Sequence, residues 1–291
     1  MIKVLITGAT GLLGTTLVPH LKKCEYKIVT HAHTSKADFM FDLSDRLTTY
    51  EMLANIQPSV IINLVSLTNV ELCEEQMNSA YYVNTRTVEN LADWILKSGA
   101  NCHLVQISTD HLYDGIGLHT EDEITITNNY AFSKYAGELA AACIPSTIIR
   151  TNFVGRSKVS HRDSLTDWLY NAMTSGKNIQ VLNDIYFSPL SMATLVKMIQ
   201  IVVEKKPVGT YNLGSRNGIS KADFSFSFAK ILNLQTNTIS RIESSQAAFF
   251  KTYRPKNMQM DSAKFESRLG VKLPLLNDEI ISIAEEYYDV A

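Results

Sequence analysis

The sequence predicts an α/β fold, in which a doubly wound parallel sheet is followed by a smaller and mostly helical C-terminal lobe. Short β-branched runs alternate with amphipathic stretches along the first half of the chain, a pattern typical of βαβ units. Several runs are almost uninterrupted hydrophobic segments, such as Val60–Leu64, as expected of strands covered by helices on both faces. At 291 residues the chain is long for one average domain, which favours a large α/β unit with an added lobe.

The alternation predicts five strands and four helices before residue 150. The predicted strands are Lys3–Thr7, Lys27–His31, Val60–Leu64, His103–Ser108 and Thr147–Arg150. The predicted helices are Leu12–Lys23, Arg46–Asn55, Asn78–Ser98 and Tyr130–Ala142. The regularity loosens after Arg150, so we place a boundary between domains 1–150 and 151–291, with later segments free to return to the first domain. Beyond it we predict an irregular loop at Gly155–Asp163 and two strands at Ile179–Leu182 and Gly209–Gly214. The predicted helices of this part are Leu165–Ser175, Met192–Glu204 and Asn277–Tyr288.

Composition and charge exclude several classes of function. The formal net charge is −2, so no global positive field attracts nucleic acid or an acidic membrane surface. No apolar run approaches the length of a membrane span. The four cysteines show neither CxxC spacing nor a ligand cluster, which predicts reduced thiols, a cytoplasmic protein and no metal site.

A glycine-punctuated turn follows the first predicted strand. Gly8, Gly11 and Gly14 have the spacing GxxGxxG and lie between a strand and an amphipathic helix. Glycines at such a corner permit the tight turn, the close approach of backbone to phosphate and the packing of helix on sheet, while the helix N-terminus attracts the anion. The context favours a Rossmann-type dinucleotide site over a purely structural turn.

The residues after the second strand bear on the choice of cofactor. An acidic residue about twenty positions past the turn would favour NADH, but no carboxylate occurs there before Asp38. The histidines, hydroxyls and lysine of residues 31–36 favour NADPH over NADH, and a solvated loop is the alternative interpretation. Asp42 has two interpretations as well: it contacts the adenine, or it caps the next helix.

Tyr130 and Lys134 lie four residues apart on a predicted helix and therefore share a face. A phenol titrates near pH 10, and a neighbouring ammonium with a cationic nicotinamide ring would bring its pKa towards the working range. Thr109, at the end of the preceding strand, is placed to hydrogen-bond a substrate oxygen. A surface helical pair is the alternative, but the glycine turn favours hydride transfer to a carbonyl with Tyr130 as the acid.

With these motifs the chain resembles the extended short-chain dehydrogenase/reductases, and within them the dTDP-4-dehydrorhamnose reductase family. The stretches that carry the resemblance span most of the chain: Gly8–Gly14, Ile62–Glu71, Val83-Asn84, Ser108–Asp110, Tyr130–Glu138, Arg150-Thr151 and Arg254–Asn257. The resemblance implies reduction of a nucleotide-linked 4-keto-6-deoxy sugar by NADPH or NADH, with a cofactor lobe and a substrate lobe.

The resemblance also implies site residues. The catalytic set is Thr109, Tyr130 and Lys134. The cofactor set is Gly8, Gly11, Leu12, Leu13, Asn63, Val65, Ser66 and Lys134, to which the position of Asp42 after the second strand adds that residue. The substrate set is Thr109, Asp110, His111, Asn152, Phe153 and Arg254. Departures from the family pattern, such as Phe153 in place of a tryptophan, lie around the expected sugar.

Two other functions stay open at this stage. An epimerase or epimerase-reductase would need a further acid–base beside the sugar, for which His111 is the candidate. A non-catalytic regulatory subunit would bind the cofactor without turnover, against which the retained Thr109, Tyr130 and Lys134 argue. The apolar faces of Asn78–Ser98 permit a homodimer interface or deep burial.

Overall fold

The computed structural model describes residues 2–160, 162–248 and 250–288. The strands are β1 Lys3–Thr7, β2 Lys27–Ala32, β3 Phe39–Met40, β4 Val60–Asn63, β5 His103–Ile107, β6 Ser146–Thr151, β7 Phe153–Val154, β8 Ile179–Leu182, β9 Tyr186–Phe187, β10 Leu190–Ser191, β11 Gly209–Leu213, β12 Ile219–Ser220, β13 Ile239–Ile242 and β14 Asn257–Met258. The helices are α1 Gly14–Lys22, α2 Arg46–Ile56, α3 Val70–Glu75, α4 Met77–Tyr81, α5 Thr87–Ser98, α6 Asn129–Ala142, α7 Leu165–Thr174, α8 Met192–Lys205, α9 Lys221–Ile231, α10 Ala263–Leu269 and α11 Leu276–Glu285.

The chain divides into two compact units, each assembled from three segments. The first unit comprises Met1–Thr109, Asn128–Arg150 and Val196–Tyr211. The second comprises Asp110–Thr127, Thr151–Leu195 and Asn212–Ala291. The chain passes from the first unit to the second after Thr109, Arg150 and Tyr211. Each of these residues lies within two positions of the last residue of a strand, β5, β6 or β11.

The first unit is built on a seven-stranded sheet in the order β11-β6-β5-β4-β1-β2-β3. The pairs from β3 to β6 are parallel. Val60, Ile61 and Ile62 of the central strand β4 have no exposed surface, because side chains on both faces of the sheet are covered. The predicted α/β fold with a Rossmann-type doubly wound sheet is therefore confirmed.

The second unit packs helices and short strands around its own core. Its strands form a β7–β10 pair, a β8–β13 pair and the three-stranded sheet β12-β9-β14. The core includes the buried aromatic residues Phe224 and Phe228 of α9, with Ile283 of α11. These three side chains have no exposed surface, so α9 and α11 are held by apolar burial rather than by surface contacts.

The predicted helix Asn78–Ser98 is wrong as a single element. A π-helical turn at Tyr82–Arg86 separates α4 from α5. Helix α6 approaches this turn so closely that a Cβ on Gly137 would lie 2.5 Å from the backbone oxygen of Asn84. Single π-turns are frequent at functional sites, and here the turn faces the helix of Tyr130.

No helix in the described part of the chain is long and apolar enough to cross a membrane.

Candidate functional site

The turn between β1 and α1 has the shape that its glycines dictate. Gly8 has a φ of 69°, and a Cβ there would lie 3.1 Å from the backbone of Leu64. A Cβ on Gly14 would lie 2.6 Å from the carbonyl carbon of Ala9, closer than real side chains approach. Only glycine therefore lets α1 begin directly against the turn.

This turn leaves room for an anion at the start of α1. The N–H of Gly11 donates to the carbonyl of Gly8 at 3.0 Å, which closes the turn. Gly11 and Leu12 are partly exposed, whereas Leu13 is buried. The N-cap residue of helix α1, Leu13, makes no side-chain hydrogen bond to the helix start, and the N-terminus of a helix attracts anions. The turn fits a dinucleotide pyrophosphate.

Asn63 joins the ends of three neighbouring strands. Its Oδ1 accepts from the hydroxyl of Thr7 at 2.6 Å, and its Nδ2 donates to Oε1 of Gln106 at 2.8 Å. Asn63 and Thr7 have no exposed surface, so this chain of hydrogen bonds is part of the core. The same Oδ1 accepts from the N–H of Val65 at 3.3 Å and thereby orders the loop after β4. A direct contact between Asn63 and the ribose stays a prediction.

Asn84, one of the residues that carry the family resemblance, is buried and hydrogen-bonds to two other segments of the chain. Its Oδ1 accepts from the N–H of Leu67 at 2.8 Å and from the hydroxyl of Ser66 at 3.1 Å. Its Nδ2 donates to the carbonyl of Leu67 at 3.0 Å and to the hydroxyl of Ser133 at 2.9 Å. The Ser133 hydroxyl in turn donates to the carbonyl of Tyr130 at 2.9 Å. One amide thus couples the Ser66 loop to the helix that carries Tyr130.

The end of β2 and the loop after it hold two carboxylates. Asp38 accepts from the N–H and the hydroxyl of Thr30, both at 2.8 Å, and these bonds lower its pKa. Asp42 accepts from the N–H of Ser44 at 2.8 Å. The N-cap of α2 is Asp45, so the interpretation of Asp42 as that cap is wrong. Contact between Asp42 and adenine stays a prediction.

Tyr130 and Lys134 lie on α6 and are both buried, with 7% and 3% of their surface exposed. The Lys134 ammonium donates to the carbonyl of Ile107 at 2.8 Å, two residues before Thr109. Thr109 is buried as well, directly beyond the end of β5. The structure therefore holds Lys134 at the carboxyl end of β5, which Thr109 follows, and Tyr130 lies one helical turn before Lys134.

Burial lowers the pKa of Lys134 to about 8 from its ordinary 10.5. Because the unfolded chain holds this proton to higher pH than the folded chain, the free energy of unfolding gains a contribution that grows between about pH 8 and 10.5. We expect Lys134→Met to lose that gain, measured by urea unfolding at several pH values in this range. The exposed Lys97→Met on α5 is the control and should keep the slope of the unsubstituted chain. If the free energy of unfolding of Lys134→Met changed with pH as it does in the unsubstituted chain, the lowered pKa of Lys134 would be contradicted.

A buried ion pair lies behind Thr109. Arg150 of β6 donates from its terminal nitrogen to Oε2 of Glu138 at 2.6 Å and from Nε to Oε1 at 3.0 Å. Both side chains are 3% exposed. Glu138 also accepts a hydrogen bond from the hydroxyl of Ser108. The pair therefore fixes the residue directly before Thr109.

Among the predicted substrate residues, Thr109 belongs to the first unit, and the other five, Asp110, His111, Asn152, Phe153 and Arg254, belong to the second. Nδ2 of Asn152 donates to Oδ2 of Asp110 at 2.7 Å, and the adjacent Phe153 pairs with Leu190 between β7 and β10. His111 follows Asp110 in a 3-10 turn. Its pKa falls to about 3, mainly by burial and further by the positive charges of Lys221 and Arg254.

Lys221 is a member of this group that the sequence analysis did not identify. It begins helix α9, with its ammonium 5.6 Å from the ring centre of Phe187. Burial lowers its pKa, the Asp110 carboxylate raises it and Arg254 lowers it. No sequence signal separates this lysine from an exposed one, since only the packing of β9 and α9 places it beside Asp110 and Arg254.

No group of three or more potential metal ligands occurs among residues 2–160, 162–248 and 250–288.

Comparison with known proteins identifies the family to which this sequence is similar. The family described as the RmlD substrate binding domain matches residues 2–288. A relative from Haloferax volcanii, a probable low-salt glycan biosynthesis reductase, is 25% identical over 298 residues, with 98% of each chain covered. The rat methionine adenosyltransferase 2 subunit beta is 25% identical over 281 residues, covering 92% of this chain and 83% of its own.

Among solved structures, a dTDP-4-dehydrorhamnose reductase from Bacillus anthracis in complex with NADP has a TM-score of 0.89 to this chain. The two are 24% identical, and the match covers 98% of this chain and 100% of that chain. The family match over residues 2–288 confirms the predicted resemblance, and the chain belongs to the RmlD substrate binding domain family.

Proposed function

We propose that this chain reduces the keto group of a nucleotide-linked 4-keto-6-deoxy sugar at the expense of NADPH or NADH. The observation that carries the proposal is the arrangement of one edge of the sheet in the first unit. The glycine turn follows β1, Asn63 ends β4 and is followed by the loop with Val65 and Ser66, and Thr109 follows β5. These strands are neighbours in the order β5-β4-β1, and the carboxyl edge of such a sheet is where a dinucleotide binds.

The residues at this edge have different roles in the proposed carbonyl reduction. When bound, the reduced nicotinamide supplies the hydride for the carbonyl carbon. Thr109 donates a hydrogen bond to the substrate oxygen and orients it, while Tyr130 delivers the proton that the developing alkoxide needs. The Lys134 ammonium holds the nicotinamide ribose and favours the phenolate left after proton transfer.

For the cofactor we propose that Gly8, Gly11, Leu12 and Leu13 line the pyrophosphate. Val65 and Ser66, held by Asn63 and Asn84, border the ribose, and Asp42 lies towards the adenine. The domain division near residue 150 is also a proposal: the first domain binds the cofactor and the second the substrate. The free cysteines, two of them buried, support the expected location in the cytoplasm, and a homodimer stays a prediction.

In the second unit we propose that Asp110, His111, Asn152 and Phe153 contact the sugar. Arg254 and Lys221 supply positive charge for the diphosphate. The Arg254 guanidinium lies 4.7 Å from the ring centre of Phe250, which fixes its plane. Because both cations would contact the diphosphate and not the keto group, we expect Arg254 and Lys221 to contribute to substrate binding more than to hydride transfer.

Lys221→Met is accordingly expected to raise KM for the nucleotide sugar about tenfold or more, with kcat changed little, because a charge-assisted hydrogen bond to the phosphates is lost. Steady-state kinetics at saturating cofactor measures the split. Lys230→Met, at the exposed end of the same helix, is the matched control and should keep both constants. An unchanged KM for Lys221→Met would remove Lys221 from the substrate site.

The reductase function is tested by following oxidation of NADPH and NADH with a panel of nucleotide-linked keto-deoxysugars. Product configuration is read by NMR. Turnover with a 4-keto-6-deoxy sugar supports the proposal. Binding of cofactor without turnover on any ketone favours instead a regulatory subunit, a function suggested by the similarity to the rat subunit beta.

An epimerase needs an acid–base group beside the sugar, and the surroundings of His111 oppose that role. Burial and the positive charges of Lys221 and Arg254 keep its imidazole neutral and weakly basic, so near neutral pH it neither donates a proton as imidazolium nor readily accepts one. Appearance of solvent deuterium on a sugar carbon would nevertheless restore epimerisation.

A further inference from the structure

Arg254 lies in an irregular segment of the second unit, residues 252–257, which leads into β14. One terminal nitrogen of its guanidinium donates to the carbonyl of Thr252 at 3.3 Å, and the guanidinium carbon lies 4.7 Å from the ring centre of Phe250. Both partners belong to the segment or precede it directly. The guanidinium is therefore held in place only as firmly as the backbone of this segment.

Asp114 bonds to the segment on both sides of Arg254. Its Oδ2 accepts from the hydroxyl of Tyr253 at 2.8 Å, and its Oδ1 accepts from the N–H of Lys256 at 3.0 Å. Hydrogen bonds to a carboxylate are stronger than those between neutral groups. Burial, together with the bond to Asp114 and the charges of Asp114 and Asp184, raises the pKa of Tyr253 to about 12, so the phenol keeps the proton that it donates.

A further bond joins the same two stretches of chain. Nδ2 of Asn257 donates to the carbonyl of Gly117 at 2.8 Å, and Gly117 has a φ of 92°, a conformation that favours glycine. The bonded residues are 139 to 142 positions apart in the sequence, although both stretches belong to the second unit. The loop after the 3-10 turn and the segment of Arg254 are thus held as one piece.

The 3-10 turn before Asp114 carries two of the proposed sugar contacts. Asp110 and His111 precede Asp114 by four and three residues. The pKa of His111 falls mainly by burial, and the charges of Lys221 and Arg254 add to this effect, so the guanidinium lies near the turn. Asp114 therefore sets the separation between the groups proposed for the sugar and the cation proposed for the diphosphate.

We propose that Asp114 is a positioning residue for substrate binding: through Tyr253 and Lys256 its carboxylate fixes Arg254 where the guanidinium contacts the diphosphate of the nucleotide sugar. Asp114 is itself an anion and acts on the diphosphate only through Arg254. The inference rests on the proposed function, which supplies the diphosphate. It requires that loss of the Asp114 bonds weaken binding of the nucleotide and leave cofactor binding intact.

Tyr253→Phe removes one of the two bonds and keeps the ring. We expect it to weaken binding of dTDP about three- to tenfold, less than the loss of a direct bond to the phosphates, and Arg254→Met to weaken it about tenfold or more. Tyr253→Phe added to Arg254→Met should weaken binding no further, because a positioning residue has no effect once the group that it positions is gone. Calorimetric titration near pH 7.5 measures these constants, and titration with NADPH and NADH should give unchanged values.

Substitutions of Asp114 test both bonds together. Asp114→Ala removes both and should weaken dTDP binding more than Tyr253→Phe does. In Asp114→Asn the amide oxygen can still accept from the N–H of Lys256, so this variant should recover part of the affinity that Asp114→Ala loses.

Tyr288→Phe is the matched control, because Tyr288 is 54% exposed against 49% for Tyr253 and belongs to the same unit, three residues past the end of α11. It should leave every dissociation constant unchanged. An unchanged affinity of Tyr253→Phe for dTDP, or the same weakening with and without Arg254, overturns the inference alone. Absence of both dTDP binding and turnover in the unsubstituted chain overturns the proposed function as well.

Discussion

Tyr130→Phe is expected to lower kcat about a thousandfold while leaving the dissociation constant of the cofactor unchanged. The substitution removes only the phenolic oxygen, which we propose delivers the proton to the alkoxide, and a positioned general acid contributes about 10²- to 10⁴-fold. The ring itself packs in a small cluster with Val70, Cys73 and Ala80, and Phe fills the same volume. Stopped-flow oxidation of the reduced cofactor gives the rate, and calorimetric titration gives the affinity.

Tyr135→Phe is the matched control, because Tyr135 is a half-exposed tyrosine on the same helix. It should keep both rate and affinity. Normal turnover by Tyr130→Phe would mean that another group delivers the proton. A parallel loss of cofactor binding would mean that Tyr130 supports the fold of the site rather than the reaction.

Arg150→Met is expected to lower the free energy of unfolding by about 3–5 kcal/mol, since it leaves the Glu138 carboxylate buried without its cation. Urea unfolding followed by circular dichroism measures the change. The double substitution Glu138→Met with Arg150→Met removes both charges and should regain most of the loss, because two apolar side chains of similar volume need no partner. A double variant as unstable as Arg150→Met would show that packing, not charge, dominates here.

Arg216→Met tests a pair in a different environment. Arg216 donates to Glu266 at 2.9 Å, but its side chain is 38% exposed. Water screens such a pair, so the loss should be much smaller than for Arg150→Met. Equal losses at the two sites would contradict the role given to burial.

The strands of the sheet could be predicted because their signal is local. Strand β1 coincides with the predicted Lys3–Thr7, and β8 with Ile179–Leu182, since each is a short apolar or alternating run with clear ends. The glycine turn can be predicted for a similar reason, because its strand, its three glycines and its amphipathic helix all lie between Lys3 and Lys22. The Tyr130–Lys134 pair needed only helical spacing.

The missed features depend on contacts between residues far apart in sequence. The π-turn at Tyr82–Arg86 follows from the approach of Gly137 and from the hydrogen bonds of Asn84 to Leu67 and Ser133. Strands β9, β12 and β14 are two residues long and exist because they pair with one another. None of these leaves a periodic trace in the sequence.

The segmental construction of the first unit has a consequence for synthesis on the ribosome. The sheet is completed by β11, whose first residues Gly209–Tyr211 close the last segment of that unit. Until they emerge, the nascent chain carries β6 with a bare hydrogen-bonding edge, because its neighbour on that side does not yet exist. Residues up to Tyr211 must therefore be synthesised before the sheet of the first unit can be completed, although the first two segments of that unit are made much earlier.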